Sequence, residues 1–137
     1  MTTSAIILAA GEGTRMKSRT PKVAHALLGK PLVRWVVDAA HDAGVERPVC
    51  VLVHGIERIR PLVEDDCEVA VQYSRRGTAD AVASAAHLFV NAKGSLLVLS
   101  GDCPLITAET LRALTEAREE ADAGVAVLTM KVQNPFG

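Results

Sequence analysis

Apolar positions along this chain fall into short blocks separated by stretches of helical spacing, and the blocks predict strands. Ala5 to Ala10 (AIILAA) is unbroken, a length and composition suited to a strand buried on both faces of a parallel sheet. Val49 to Val53 (VCVLV) repeats the pattern after Pro48, and Cys67 to Gln72 predicts a shorter strand nearer an edge. The first half of Ser95 to Ile106 (SLLVLSGDCPLI) reads as another all-apolar buried strand, and Val125 to Val132 (VAVLTMKV), with partial alternation, as a fifth.

The intervening segments predict helices. Pro31 stands at a first helical position, and Leu32, Trp35, Val36, Ala39 and Ala40 then share one face until Gly44 closes the helix. On this pattern Trp35 is a core residue rather than a cofactor platform. Ile56 to Glu64 predicts a short helix that Pro61 shortens or kinks, after a turn at His54-Gly55. Thr78 caps an alanine-rich helix running through Ala86, and Thr107 begins one that reaches Ala121 with Glu109 in its first turn. Such alternation of strand and helix specifies an α/β fold: a Rossmann-like open, mostly parallel sheet, doubly wound with helices on both faces.

With 137 residues and 49% hydrophobic content, the chain can bury one sizeable core. A net charge of −1 gives no broad electrostatic footprint for nucleic acid or an anionic membrane. No apolar run approaches the ~20 residues of a membrane span, and the amino terminus lacks a signal-peptide layout, so a soluble cytoplasmic protein is expected. Cys50, Cys67 and Cys103 are odd in number and widely spaced, which fits neither a disulfide framework nor paired metal-binding thiols and implies reduced, structural cysteines.

Candidate chemistry concentrates where the first strand ends. Leu8 to Lys22 (LAAGEGTRMKSRTPK) carries two glycines and four basic residues at the carboxyl end of a buried strand, where open α/β sheets bind ligands. Gly11 and Gly13 allow positive φ and close backbone approach, leaving amides for anionic oxygens. Arg15 can fork onto phosphate oxygens, and Lys22 adds charge. A nucleoside triphosphate suits such a loop; a surface turn with solvated charges is the bland alternative. The Walker and dinucleotide spacings both fail at Met16, where each requires glycine. Asp102, just past the fourth strand, lies on the same side of the sheet and suits either a hard cation such as Mg²⁺ or a turn before Pro104.

The run from Leu8 to Ala40, LAAGEGTRMKSRTPKVAHALLGKPLVRWVVDAA, resembles the signature of sugar-1-phosphate nucleotidyltransferases, most closely the N-acetylglucosamine-1-phosphate uridyltransferases that form the amino-terminal activity of a bifunctional enzyme. The resemblance implies Mg²⁺-dependent transfer of a uridylyl group from UTP to N-acetylglucosamine-1-phosphate, giving UDP-N-acetylglucosamine, a cell-wall precursor, and pyrophosphate. It implies phosphate roles for Arg15 and Lys22 and backbone contacts from Leu8, Ala9, Gly11 and Gly13. Asp102, in the family's L-x-G-D-x-P-L, would hold the metal. QYSRRGTADAV resembles the family's Q-x-x-Q-L-G-T-x-x-A, which places Gln72 and Gly77 on uracil, with Thr78 beside them. Arg75-Arg76 depart from the usual Gln-Leu, either as solvated charges or as further cations for the triphosphate. Asn134-Pro135-Phe136-Gly137 resembles the entrance to the sugar-binding half. Residues 1–137 would thus be the nucleotide-binding half, without the sugar-binding half or the acetyltransferase domain through which the parent forms homotrimers. Two alternatives stay open: a nucleotide-binding module without turnover, and another sugar-1-phosphate nucleotidyltransferase using glucose-1-phosphate or dTTP.

Overall fold

The structure, a computed structural model, describes residues 2–11, 16–53, 58–74 and 76–133. Its centre is a four-stranded sheet of β1 (Thr3–Leu8), β4 (Val49–Val53), β5 (Glu68–Gln72) and β6 (Ser95–Ser100), in the order β5-β4-β1-β6 with every neighbouring pair parallel. The chain therefore builds outward from β1 through β4 to β5, then returns to lay β6 on the other side of β1. That reversal opens a crevice between the carboxyl ends of β1 and β6.

Both faces of the sheet are covered. On one, α1 (Leu32–Asp42) and α3 (Ala108–Glu120) bury Val33, Val36, Val37 and Leu111 against Ala5, Ile7, Cys50, Leu52, Leu97 and Leu99. On the other, α2 (Thr78–Ser84) and the 3-10 turn Ala86–Phe89 pack Ala81, Ala85, Leu88 and Phe89 against Ile6, Val49, Val51 and Ala70. This is the doubly wound arrangement that the alternating pattern predicts. β4 buries all five of its side chains and β1 its central Ala5, Ile6 and Ile7, which is why those residues are apolar without a break; β1 begins at Thr3 and ends at Leu8, two residues earlier at each end than the apolar run Ala5 to Ala10.

Several local expectations need correction. β6 is an edge strand, and Leu96 and Val98 are 44% and 48% exposed, so the strand is buried on one face only. Val125–Val132 forms no strand; Gly124–Leu128 and β6 instead line a groove of about 700 Å³. The buried face of α1 is centred on Val33, Val36, Val37 and Ala40, which leaves Leu32 and Trp35 half-buried at its margin. Trp35 Nε1 donates to the carbonyls of Leu27 and Lys30, both at 3.2 Å, and Lys30 Nζ stands 4.4 Å above the ring. Those partners belong to a small antiparallel hairpin, β2 (Ala26–Leu27) and β3 (Lys30–Pro31), turned at Leu28-Gly29.

Arg60–Leu62 forms only a single 3-10 turn around Pro61, and the rest of the expected helix, with the turn at His54-Gly55, lies partly outside the described residues. Thr107 is the N-cap of α3, accepting from the Thr110 N–H at 3.2 Å, and Gly44 follows the end of α1. Cys50 and Cys67, distant in sequence, are both buried, and the neighbouring Cys67 thiol together with burial pushes the Cys50 thiol strongly upward. Among the described residues all three cysteines are free thiols, and no helix is long and apolar enough to cross a membrane.

Candidate active site at the sheet's switch point

The walls of the crevice come from the ends of β1 and β6, which are tied together directly. The Leu8 carbonyl accepts from the Gly101 N–H at 2.9 Å, and the Ala9 N–H donates to the Val51 carbonyl at 3.0 Å. These two groups serve the sheet, which narrows the backbone contacts that Leu8 and Ala9 can offer a nucleotide. Gly101 must be glycine for close approach: a Cβ there would stand 2.9 Å from the Leu8 oxygen. Gly11 is exposed and open, with nothing within 4 Å of a hypothetical Cβ, but it does not take the positive φ expected of it. Gly13 and Arg15 lie outside the described residues.

Past the loop, Pro21 leads into the 3-10 turn Lys22–Ala24, and Val23 locks that turn by inserting into the core against Gly101. Lys22 is thereby aimed across the crevice. Its Nζ donates to Asp102 Oδ2 at 2.6 Å, while Ser100 Oγ donates to Asp102 Oδ1 at 2.7 Å. The Lys22 hydrogen bond first, then that of Ser100, hold the Asp102 carboxyl below the usual range. Two residues singled out separately, 80 positions apart, thus form one ion pair at the switch point.

Asp102 also fits a divalent cation by its chemistry, being an ionised oxygen donor at the crevice. Among the described residues no group of three metal-binding side chains exists. One carboxylate is nevertheless a usual protein share for Mg²⁺, which keeps waters and takes substrate phosphates for its other positions.

A second cluster forms at the carboxyl end of β5. Gln72, 4% exposed, donates from Nε2 to Asp80 Oδ2 at 2.7 Å and, more weakly, to the Gly77 carbonyl at 3.4 Å. Ser74 Oγ donates to the same carboxylate at 3.1 Å. Gln72 chiefly, then Ser74 and the backbone and charge of Arg76, hold Asp80 below the ordinary carboxylate range. Gln72 and Gly77 are therefore brought together at one end of the sheet. Thr78 is not the cap: it is the first residue of α2, and the N-cap is Gly77 at φ +99°, ψ −172°, a conformation that threonine avoids. Arg76 is exposed, and Arg75 lies outside the described residues.

Sequence reasoning missed Asp80, Ser100 and Gly101. Asp80 had a signal in its position, an acidic residue in the first turn of a helix that starts after a glycine.

Residues 5–136 match the MobA-like NTP transferase domain. The chain belongs to that family. It is 47% identical over 133 residues to the bifunctional protein GlmU of Bacillus cytotoxicus and 46% identical to that of Bacillus mycoides, in each case across 97% of this chain. The chain spans 29% of the length of these relatives. Among solved structures it is similar to a nucleotidyl transferase from Methanothermobacter thermautotroptrophicus, with a TM-score of 0.65 at 25% identity, covering 83% of this chain and 56% of that one. The fold is shared with the Rv0371c homologue of Mycobacterium sp. strain JC1, with a TM-score of 0.72 at 22% identity over 85% of this chain and 59% of that one. Rv0371c of Mycobacterium tuberculosis, solved in complex with manganese, superposes with a TM-score of 0.67 at 21% identity over 85% of this chain and 59% of that one. The matched family is one of NTP transferase domains, and the fold is one that a solved nucleotidyl transferase shares.

Proposed function

We propose that the chain is the nucleotide-binding half of a UDP-N-acetylglucosamine diphosphorylase, acting in the cytoplasm to join UTP and N-acetylglucosamine-1-phosphate with release of pyrophosphate. The observation that carries this reading is the Lys22–Asp102 pair, 2.6 Å apart just past the carboxyl ends of β1 and β6. A cation and an anion there can be exchanged for the two components of a metal nucleotide. Lys22 moves to a phosphate oxygen, and Asp102, relieved of its partner, is the residue to hold Mg²⁺. When bound, the ion supplies charge neutralisation at the phosphate oxygens. The attacking sugar phosphate is already ionised near neutral pH, so no general base is required of the chain, only alignment and opposing charge. Arg15 and the amides around Gly11 and Gly13 complete the phosphate cradle in this reading. Gln72 and Gly77 bind the uracil, with Thr78 beside them.

In this reading a longer parent adds a sugar-binding half and an acetyltransferase domain through which it forms homotrimers, and the likeness to GlmU supports that reading. A module that binds nucleotide without turnover is the second reading. Calorimetric titration of UTP with and without Mg²⁺, beside an assay for UDP-sugar formation, tests both. Metal-dependent binding with product supports transfer, binding without product supports the module, and no binding refutes the nucleotide site. A panel with glucose-1-phosphate and dTTP checks the choice of sugar and base.

A further inference from the structure

The Gln72 amide is held by two groups that can only accept. Asp80 is an ionised carboxylate and the Gly77 group is a backbone carbonyl, so the side of the amide turned towards them must be its NH2. Ser74 Oγ reinforces the arrangement by donating to the same carboxylate, leaving Asp80 no freedom to offer anything but oxygen. The consequence falls on the other end of the amide. Gln72 Oε1 is then the hydrogen-bonding atom left for a ligand, and it can only accept.

We propose that Asp80 is a positioning residue that sets the amide orientation of Gln72 and thereby selects a pyrimidine with an imide N–H, uracil or thymine, over cytosine. The inference rests on the nucleotide reading given above. An imide N3–H donates to a carbonyl oxygen, whereas cytosine presents a bare N3 that would face Oε1 acceptor to acceptor. Gln72 is nearly fully buried, so that mismatch leaves an unpaired polar atom out of water, and sites built this way discriminate strongly. Without Asp80 the amide can turn over, because the remaining partner at Gly77 is a weak one at 3.4 Å.

The test uses the full chain in two measurements. In the first, solvent exchange of the Gln72 side-chain amide protons is followed by NMR without ligand. Slow exchange in the wild type, at least about tenfold faster in Asp80→Ala and restored in Asp80→Asn, which keeps an acceptor oxygen, supports the orienting contact. Equal rates in all three overturn it. In the second, UTP and CTP are titrated with Mg²⁺. The wild type is expected to prefer UTP by on the order of 10²-fold, Asp80→Ala to lose about tenfold of that preference, and Asp80→Asn to retain it. An unchanged preference in Asp80→Ala, with its fold intact by circular dichroism, refutes the specificity role while leaving the nucleotide site standing. Absence of binding by either nucleotide to the wild type overturns the nucleotide reading, and this inference with it.

Discussion

Replacing Gly101 with alanine tests whether the crevice is a fixed junction of β1 and β6. The added methyl would lie 2.9 Å from the Leu8 carbonyl oxygen and 3.4 Å from a Val23 methyl, and the same oxygen accepts the Gly101 N–H at 2.9 Å. Both contacts are with firmly held groups, so relief requires the strand ends to separate. Overpacking of this kind costs about 1–3 kcal/mol. The glycine is not in the left-handed region, so alanine also stabilises by roughly 0.4–1 kcal/mol through the unfolded chain. The difference is a net loss of about 1–2 kcal/mol, which lowers Tm by roughly 3–8 °C for a domain of this size. Gly11→Ala is the matched control, since its methyl meets nothing within 4 Å and its φ is ordinary. Its Tm should hold or rise slightly while UTP affinity falls, because the new methyl projects into the space assigned to phosphates. Differential scanning fluorimetry with UTP titration separates the outcomes. If Gly101→Ala melts at or above the wild type, the close approach is not real. If it melts lower but binds UTP unchanged, the Asp102 turn does not shape the site.

Removing the cation by Lys22→Met should slow turnover of the full-length enzyme on the order of 10²-fold, read from initial rates, while costing only about 1 kcal/mol of stability, because the pair is partly open to screening by solvent. The same variant carries a pH signature. The Asp102 pKa is lowered by Lys22 and Ser100, so their stabilisation is fully present above an ordinary aspartate pKa of about 3.9 and is lost as the pH falls through the lowered value. The Tm difference between wild type and Lys22→Met should therefore close on acidification, and a constant difference would contradict the pairing. Arg34→Met removes a two-pronged clamp on Asp66 at 2.8 and 2.9 Å that ties α1 to the segment after Arg60–Leu62. It should lower stability by about 1–2 kcal/mol in urea unfolding without altering nucleotide affinity.

How far these features could be read from sequence depends on what each one needs. β4 is flanked by helices on both faces, so burial alone writes Val49–Val53 as an apolar run with the strand's own bounds, whereas the apolar run Ala5 to Ala10 overshoots β1, which starts on the half-buried Thr3 and Ser4. Ser95–Ser100 carries nearly the same signal with a different environment: it is apolar on both faces although one is exposed, and composition does not say what covers a face. Val125–Val132 fails for a related reason. A strand exists only with a partner, and pairing distance is a property of the assembled sheet. The boundary of α2 turned on one backbone angle: glycine at φ +99° takes the cap position that threonine chemistry suggests for Thr78.

The functional residues divide along the same line. Lys22, Asp102, Gln72 and Gly77 are each marked by a local motif, but the motif assigns them one at a time, to phosphate, metal and base. What the fold adds is the partner each of them holds inside the protein. The reversal of strand order at β1 brings Asp102 back across 80 residues to Lys22, and the hairpin-like return from β5 into α2 closes Asp80 over Gln72. In both clusters a charged group waits on a partner inside the protein, so a ligand must offer at least the same hydrogen bonds to displace it. Only a guest that carries an anion and a cation together can replace Lys22 and Asp102 for each other without leaving either one unpaired, and a free phosphate or a free metal ion alone cannot. It follows that UTP and Mg²⁺ should bind with mutual reinforcement, each raising the other's affinity by the same factor.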